Sequence, residues 1–147
     1  MLLSKAPFKF IVSGSQTLNP ASPFDCLQDY PVEFEELKEF LSAEKINGVL
    51  FLTGDRHHSE VIGYDRREEY TLYDITSIPF TSSVGKVFGK EKENAARVPN
   101  TLVEAQNYSR ISISGKTGER KLIVEFLGIK GEKLSEWSIS EKELKNK

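Results

Sequence analysis

Apolar positions recur with two different periods along this chain, and the change of period divides it. Residues 8–12 (Phe-Lys-Phe-Ile-Val) are a short β-branched run that reads as a strand. Residues 13–23 follow, dense in Ser, Gly, Asn and Pro, and read as a loop. The period then becomes helical: Phe34, Leu37, Phe40 and Leu41 return at three- and four-residue spacing behind Pro31, which suits a first helical position. Glu33, Glu35, Glu36 and Glu39 lie early in this helix, where the dipole favours acids, and Lys45 with Asn47-Gly48 closes it. The run Val-Leu-Phe-Leu-Thr at 49–53 is the next strand.

A strand, loop, helix and strand over 8–53 have the length of a crossover unit, which implies parallel strands. Both loops that follow these strands then open on one edge of the sheet, so 13–19 and 54–58 are expected to be neighbours. Residues 60–64 form a further short element and 70–76 a strand, whereas 86–100 is charged, weakly periodic and expected to be an exposed loop. Beyond it, strands are expected at 102–106, 109–114, 121–127 and 134–139, with glycine-bearing turns at 115–118 and 128–131. Ile111, Ile113, Leu122, Val124 and Phe126 alternate with polar residues, as in strands with one wet face. The fold class is mixed α/β (α+β), a β-α-β unit followed by antiparallel β-hairpins. One domain is expected over 1–140, with a charged tail at 141–147.

With 147 residues the chain can build a single core. A net charge of −2 gives it no field that favours nucleic acid, so no nucleic-acid binding is expected. Cys26 is the only cysteine, which excludes an intrachain disulfide and a Cys-x-x-Cys zinc pattern; a partly buried structural role suits it. No apolar stretch approaches the ~20 residues of a membrane span. The first residues have neither a basic start nor a long apolar run, so no signal peptide is expected. A Gly-x-Ser-x-Gly elbow, a Walker loop and a dinucleotide fingerprint are all lacking.

The chemistry concentrates in Gly54-Asp55-Arg56-His57 and His58, directly after the 49–53 strand. Ligands bind at the carboxyl ends of strands in open α/β sheets, and both histidines of the chain stand here. If the backbone stays extended, Asp55 and His57 point to one side and can converge on a metal ion, while His58 points the other way. A carboxylate with an imidazole suits Zn, Fe or Mn; a turn aspartate and a solvated loop histidine are the bland readings. Arg56 could grip a phosphate oxygen, or form a surface ion pair with Glu60 or another acid. Ser15, Gln16 and Asn19 offer polar groups to a substrate, or simply build the turn.

These residues resemble the C-terminal part of a calcineurin-like metallophosphoesterase, and more closely its alkaline phosphatase D branch. The likeness rests on Gly54-Asp55-Arg56-His57 at a strand end, preceded by Phe10-Ile11-Val12-Ser13-Gly14-Ser15-Gln16 and the helix. Tyr73-Asp74-Ile75-Thr76-Ser77-Ile78-Pro79, Asn100-Thr101-Leu102-Val103-Glu104 and the closing hairpins through 131–137 extend it over nearly the whole chain. The resemblance implies the C-terminal half of a metallophosphoesterase sandwich and a two-metal site that hydrolyses phosphate mono- or diesters. The cofactors it implies are Fe, Zn, Mn or Ca. It makes Asp55 and His57 metal ligands, with His58, Arg56, Gln16, Asn19 and Ser15 contacting the substrate or steadying the ligands. Family members are often exported.

The family's earlier motifs (Asp-x-His, Gly-Asp and Gly-Asn-His) do not occur in residues 1–53. The chain is therefore expected to be inactive alone and to expose a sheet edge through which copies associate. A non-catalytic binding module that keeps the fold is the alternative, and a homodimer assembling a metal site from two copies of Asp55 and His57 is a third.

Overall fold

The computed structural model describes residues 4–146. Four strands make the first sheet: β1 (Lys9–Val12), β2 (Val49–Thr53), β3 (Glu60–Tyr64) and β4 (Leu72–Thr76). Their order is β1-β2-β4-β3, with β1, β2 and β4 parallel and β3 antiparallel to β4. Helix α1 (Pro31–Ala43) makes the crossover from β1 to β2, as its spacing predicts, and buries Phe34 and Leu41. It ends in a Schellman arrangement: Ile46 N–H donates to Leu41 O over 2.9 Å and Lys45 N–H to Ser42 O over 3.0 Å. Lys45 takes the left-handed position, φ 48°, that glycine usually fills.

A second sheet, β5 (Asn107–Ser114), β6 (Lys121–Gly128) and β7 (Lys133–Ser140), is an antiparallel meander in that order. Leu122, Val124 and Phe126 of β6 are buried, and this face covers the first sheet. Register decides which residues meet it. Val49, Phe51 and Thr53 align with Leu72, Asp74, Thr76 and with Tyr64, Ile62, Glu60 on one face; Leu50, Leu52, Tyr73, Ile75 and Val61 lie on the other. The first face takes α1, through the Phe34–Tyr64 ring contact at 5.4 Å. The second takes the meander, through Tyr73 against Trp137 at 4.7 Å. Burial on both faces explains why β2 is nearly all apolar.

Strand β1 is an edge that pairs with β2 alone among the described residues. Its Phe10 and Val12 are exposed, so the open sheet edge expected from the sequence is present.

Three expectations are corrected. No strand forms at 102–106, where Val103 makes a single bridge to Ser59. The segment 86–100 is not a free loop: it holds a 3-10 helix (Gly89–Glu93), buries Glu91 and Asn94, and docks Val98 N–H on Val61 O at 2.8 Å. The charged tail contains Leu144, which is fully buried in the core and whose carbonyl accepts from Gly48 N–H. One apolar residue among lysines and glutamates leaves no periodic signal, yet one buried leucine is enough to dock a segment. No helix is long and apolar enough to cross a membrane, among the described residues.

Gly48 has φ 77°, and a Cβ there would lie 2.1 Å from Pro7 O, whereas Gly89, φ 56°, faces open space. Gly89→Ala should therefore cost only the left-handed penalty of about 1 kcal/mol. Gly48→Ala adds a backbone clash and should cost at least about 2 kcal/mol more. Equilibrium urea unfolding of the two variants measures the difference; equal losses would contradict the close packing of 4–8 against β2.

Candidate functional site

The crossover brings the loop after β1 and the loop after β2 together. A Cβ on Gly54 would stand 3.2 Å from Gly14 O, so the chains touch through two glycines. The expectation that 13–19 and 54–58 are neighbours is met. The backbone of 54–58, however, is not extended as the metal-convergence reading assumed. Asp55 and His57 are both left-handed, φ 68° and 57°, a region that Asp and His enter more readily than most residues but still at a cost. The result is an alternation: Arg56 and His58 are buried, Asp55 is exposed and His57 half-buried.

The inward pair enters a polar network on the α1 face of the first sheet. Thr53, Thr76 and Glu60 align across β2, β4 and β3 and form its floor. Glu60 has no exposed surface. Its Oε1 accepts Gln16 Nε2 at 2.8 Å and Asn19 Nδ2 at 3.3 Å, and its Oε2 accepts Arg97 Nε at 2.7 Å. His58 Nε2 lies 3.3 Å from Glu60 Oε1 but is not directed along a hydrogen bond. Arg56 forms a buried ion pair with Glu91 and donates to Ser22 Oγ and Gln16 Oε1. Asn94 Nδ2 donates to Asn19 Oδ1 at 2.8 Å, which ties 86–100 to the first loop. Asp74 caps that loop by accepting Thr17 N–H at 2.6 Å and Leu18 N–H at 3.0 Å. Burial pushes the Asp74 carboxyl up against the pull of these donors and of Thr53. For Glu60 burial acts in the same direction, yet the His58 imidazole, the Gln16 amide and the Arg97 guanidinium outweigh it and hold the carboxyl at about 2.

The outward pair faces a cleft of about 600 Å³ lined by Asp25, Asp55, His57, Lys86, Phe24 and Phe88, with the buried Arg56 and His58 also in its wall. His57 Nδ1 lies 2.8 Å from Ser83 O. A carbonyl only accepts, so Nδ1 is the donor in this contact, and in the neutral ring Nε2 then carries the lone pair. Gly85 N–H also donates to His57 O at 2.7 Å, and a Cβ on Gly85 would stand 3.0 Å from His57 Cβ. The segment 82–86 thus clamps the histidine by close backbone approach.

Two groups of side chains offer metal donors. His58, Glu60 and Glu91 present donor atoms within 4.8 Å of one another. Both carboxylates are already paired with guanidinium groups, Arg97 and Arg56, so this cluster is charge-balanced as it stands. Asp55 and His57 belong to no group of three such donors among the described residues. Their donor types suit a metal, an exposed carboxylate and an imidazole with a fixed tautomer held by a backbone carbonyl. Their number does not complete a shell, since protein sites use three or four ligands.

The sequence singled out seven residues here, and the fold sorts them. Asp55 and His57 line the cleft. Arg56 makes the expected ion pair, but with Glu91 and in the interior rather than at the surface. His58 is buried rather than solvated. Gln16 and Asn19 are buried and saturated by internal hydrogen bonds, away from the cleft lining. Ser15 lies half-buried in a separate groove with Ile11, Cys26 and Leu27. Glu91, Asn94 and Arg97 were missed because they sit in a charged stretch whose pattern resembles a solvated loop. Cys26 is buried, and burial pushes its thiol pKa up, as suits a structural residue.

No protein-family model matches this chain, and no curated protein or solved structure is significantly similar to it.

Glu60 binds its proton less readily in the folded state than in the unfolded chain. Its stabilising contribution is therefore complete above about 4.5, its ordinary value, and is lost as pH falls toward about 2. Glu60→Gln should lower stability at pH 7 by about 3 kcal/mol, because it leaves Arg97 without its partner. The gap between wild type and variant should close between pH 4.5 and 2 in thermal unfolding. A gap independent of pH would show that the charge of Glu60 contributes nothing.

Proposed function

We propose that this chain is the C-terminal portion of a metal-dependent phosphatase or phosphodiesterase of the calcineurin-like, alkaline phosphatase D-like kind, inactive by itself. Asp55 and His57 are the metal ligands it contributes. The observation that carries the reading is the His57 ring, fixed through Nδ1 on Ser83 O with Nε2 free, next to Asp55 at the carboxyl end of a parallel strand.

Bound metal ions supply Lewis acidity to a phosphoryl group and neutralise its charge. The chain's own residues do the rest. Ser83 O and Gly85 hold the imidazole in one tautomer and one position. The Arg56–Glu91 pair and His58 anchor the loop from below, and Asp55 and His57 line the cleft beside them. The remaining ligands come from another segment or another molecule, because two donors do not complete a site. The exposed edge of β1, with Phe10 and Val12 uncovered, is the surface through which copies associate.

In a titration followed by NMR, Zn2+ should shift the His57 ring signals with weak affinity. His57→Ala should remove the response. Asp55→Gly should weaken it while raising stability by about 0.5–1 kcal/mol, because the left-handed position then carries no side chain. With Mn, Zn, Fe or Ca added, the chain should not hydrolyse p-nitrophenyl phosphate or its bis ester measurably. Robust turnover abolished by His57→Ala would overturn the incomplete-site reading. By sedimentation velocity the chain should self-associate, and Val12→Lys on the β1 edge should make it monomeric; a wild-type monomer at all concentrations would count against association through β1.

A further inference from the structure

Metal ligation by Asp55 and His57 leaves most of their cleft without a role. Phe24 and Phe88 line it and are 57% and 50% exposed. Their rings lie 5.9 Å apart at 78° in an edge-to-face contact and form an apolar corner. The corner is held from beneath. Arg56 packs 4.9 Å from the Phe24 ring centre, and its partner Glu91 belongs to the 3-10 helix that Phe88 caps. Both rings are therefore mounted on one buried ion pair. Covering Arg56 needs one face of one ring; it does not account for two half-exposed phenylalanines in a cleft beside two candidate ligands.

Lys86 lines the same cleft and makes no ion pair or hydrogen bond among the described residues. The cleft thus combines three features: donors for a metal, an unpaired ammonium and a rigid aromatic corner. Asp25, Asp55 and the Arg56 paired with Glu91 also line it, so net charge alone does not select an anion there. The apolar corner supplies the selectivity.

We propose that Phe24 and Phe88 receive the flat ring of an aryl or nucleoside phosphate, with Lys86 countering the phosphate charge. A ring in this corner stacks on one phenylalanine and meets the other edge-on, the two geometries that aromatic groups favour. The phosphate then points toward Asp55 and His57. The assignment of the head group rests on the phosphoester reading above; the ring preference does not.

The test is a titration of the isotopically labelled full chain with phenyl phosphate, adenosine monophosphate and methyl phosphate, followed by NMR. Phenyl phosphate or the nucleotide should shift the signals of Phe24, Gly85, Lys86 and Phe88 and bind at least tenfold more tightly than methyl phosphate. Whichever of the two binds tighter identifies the source of the ring. Phe88→Ser should bring the ring-bearing ligands down to the methyl phosphate level, and Lys86→Ala should weaken all three. Equal binding of phenyl and methyl phosphate, no measurable binding of either ring-bearing ligand, or a preference that survives Phe88→Ser would overturn the proposal. Zn2+ titration of His57 separates the two readings: loss of that response removes the metal site but leaves the ring preference standing.

Discussion

A carboxylate with no access to water organises the loop-bearing edge of this protein's first sheet. Glu60 sits at the start of β3 and cannot be solvated, so its charge must be met inside. It is met by the loop after β1 through Gln16 and Asn19 and by the segment after β4 through Arg97, with the His58 ring of the loop after β2 packed 3.3 Å away. None of these segments is regular structure at the point of contact. Each is placed because leaving Glu60 unpaired would cost several kcal/mol, more than a loop gains by wandering.

The same network explains the alternation in 54–58. Arg56 and His58 turn inward because the buried acids are there, and their neighbours Asp55 and His57 are forced outward with left-handed backbones. A glycine-poor loop does not adopt that conformation unaided. The anchoring of 86–100 by Glu91 and Asn94 brings Phe88 and Lys86 to the same cleft, and the clamp at 82–86 fixes the His57 ring. Structural polar groups and presented polar groups are thus two sides of one short loop.

Much of the architecture was legible in the residues. The helix was marked by Pro31 and by Phe34, Leu37, Phe40 and Leu41, and the parallel strands followed from the length of the crossover. The meander was marked by the alternation of Leu122, Val124 and Phe126. Where the pattern failed, the packing decision rested on single residues. Leu144 in a charged terminus, and Glu91 and Asn94 in a charged loop, are isolated among polar neighbours and give no period to read. Val103, expected in a strand, makes a single bridge to Ser59 and no ladder.

Sequence by itself determined most of the elements, their order and the parallel crossover, because periodicity and turn residues act locally. It put Asp55, Arg56, His57 and His58 at one strand end. Only the tertiary structure decided which of them are buried and which reach solvent, and that Phe24 and Phe88 stand beside them in one cleft. Those choices depend on charges distant in sequence, Glu60, Glu91 and Arg97, meeting in a space from which water is excluded.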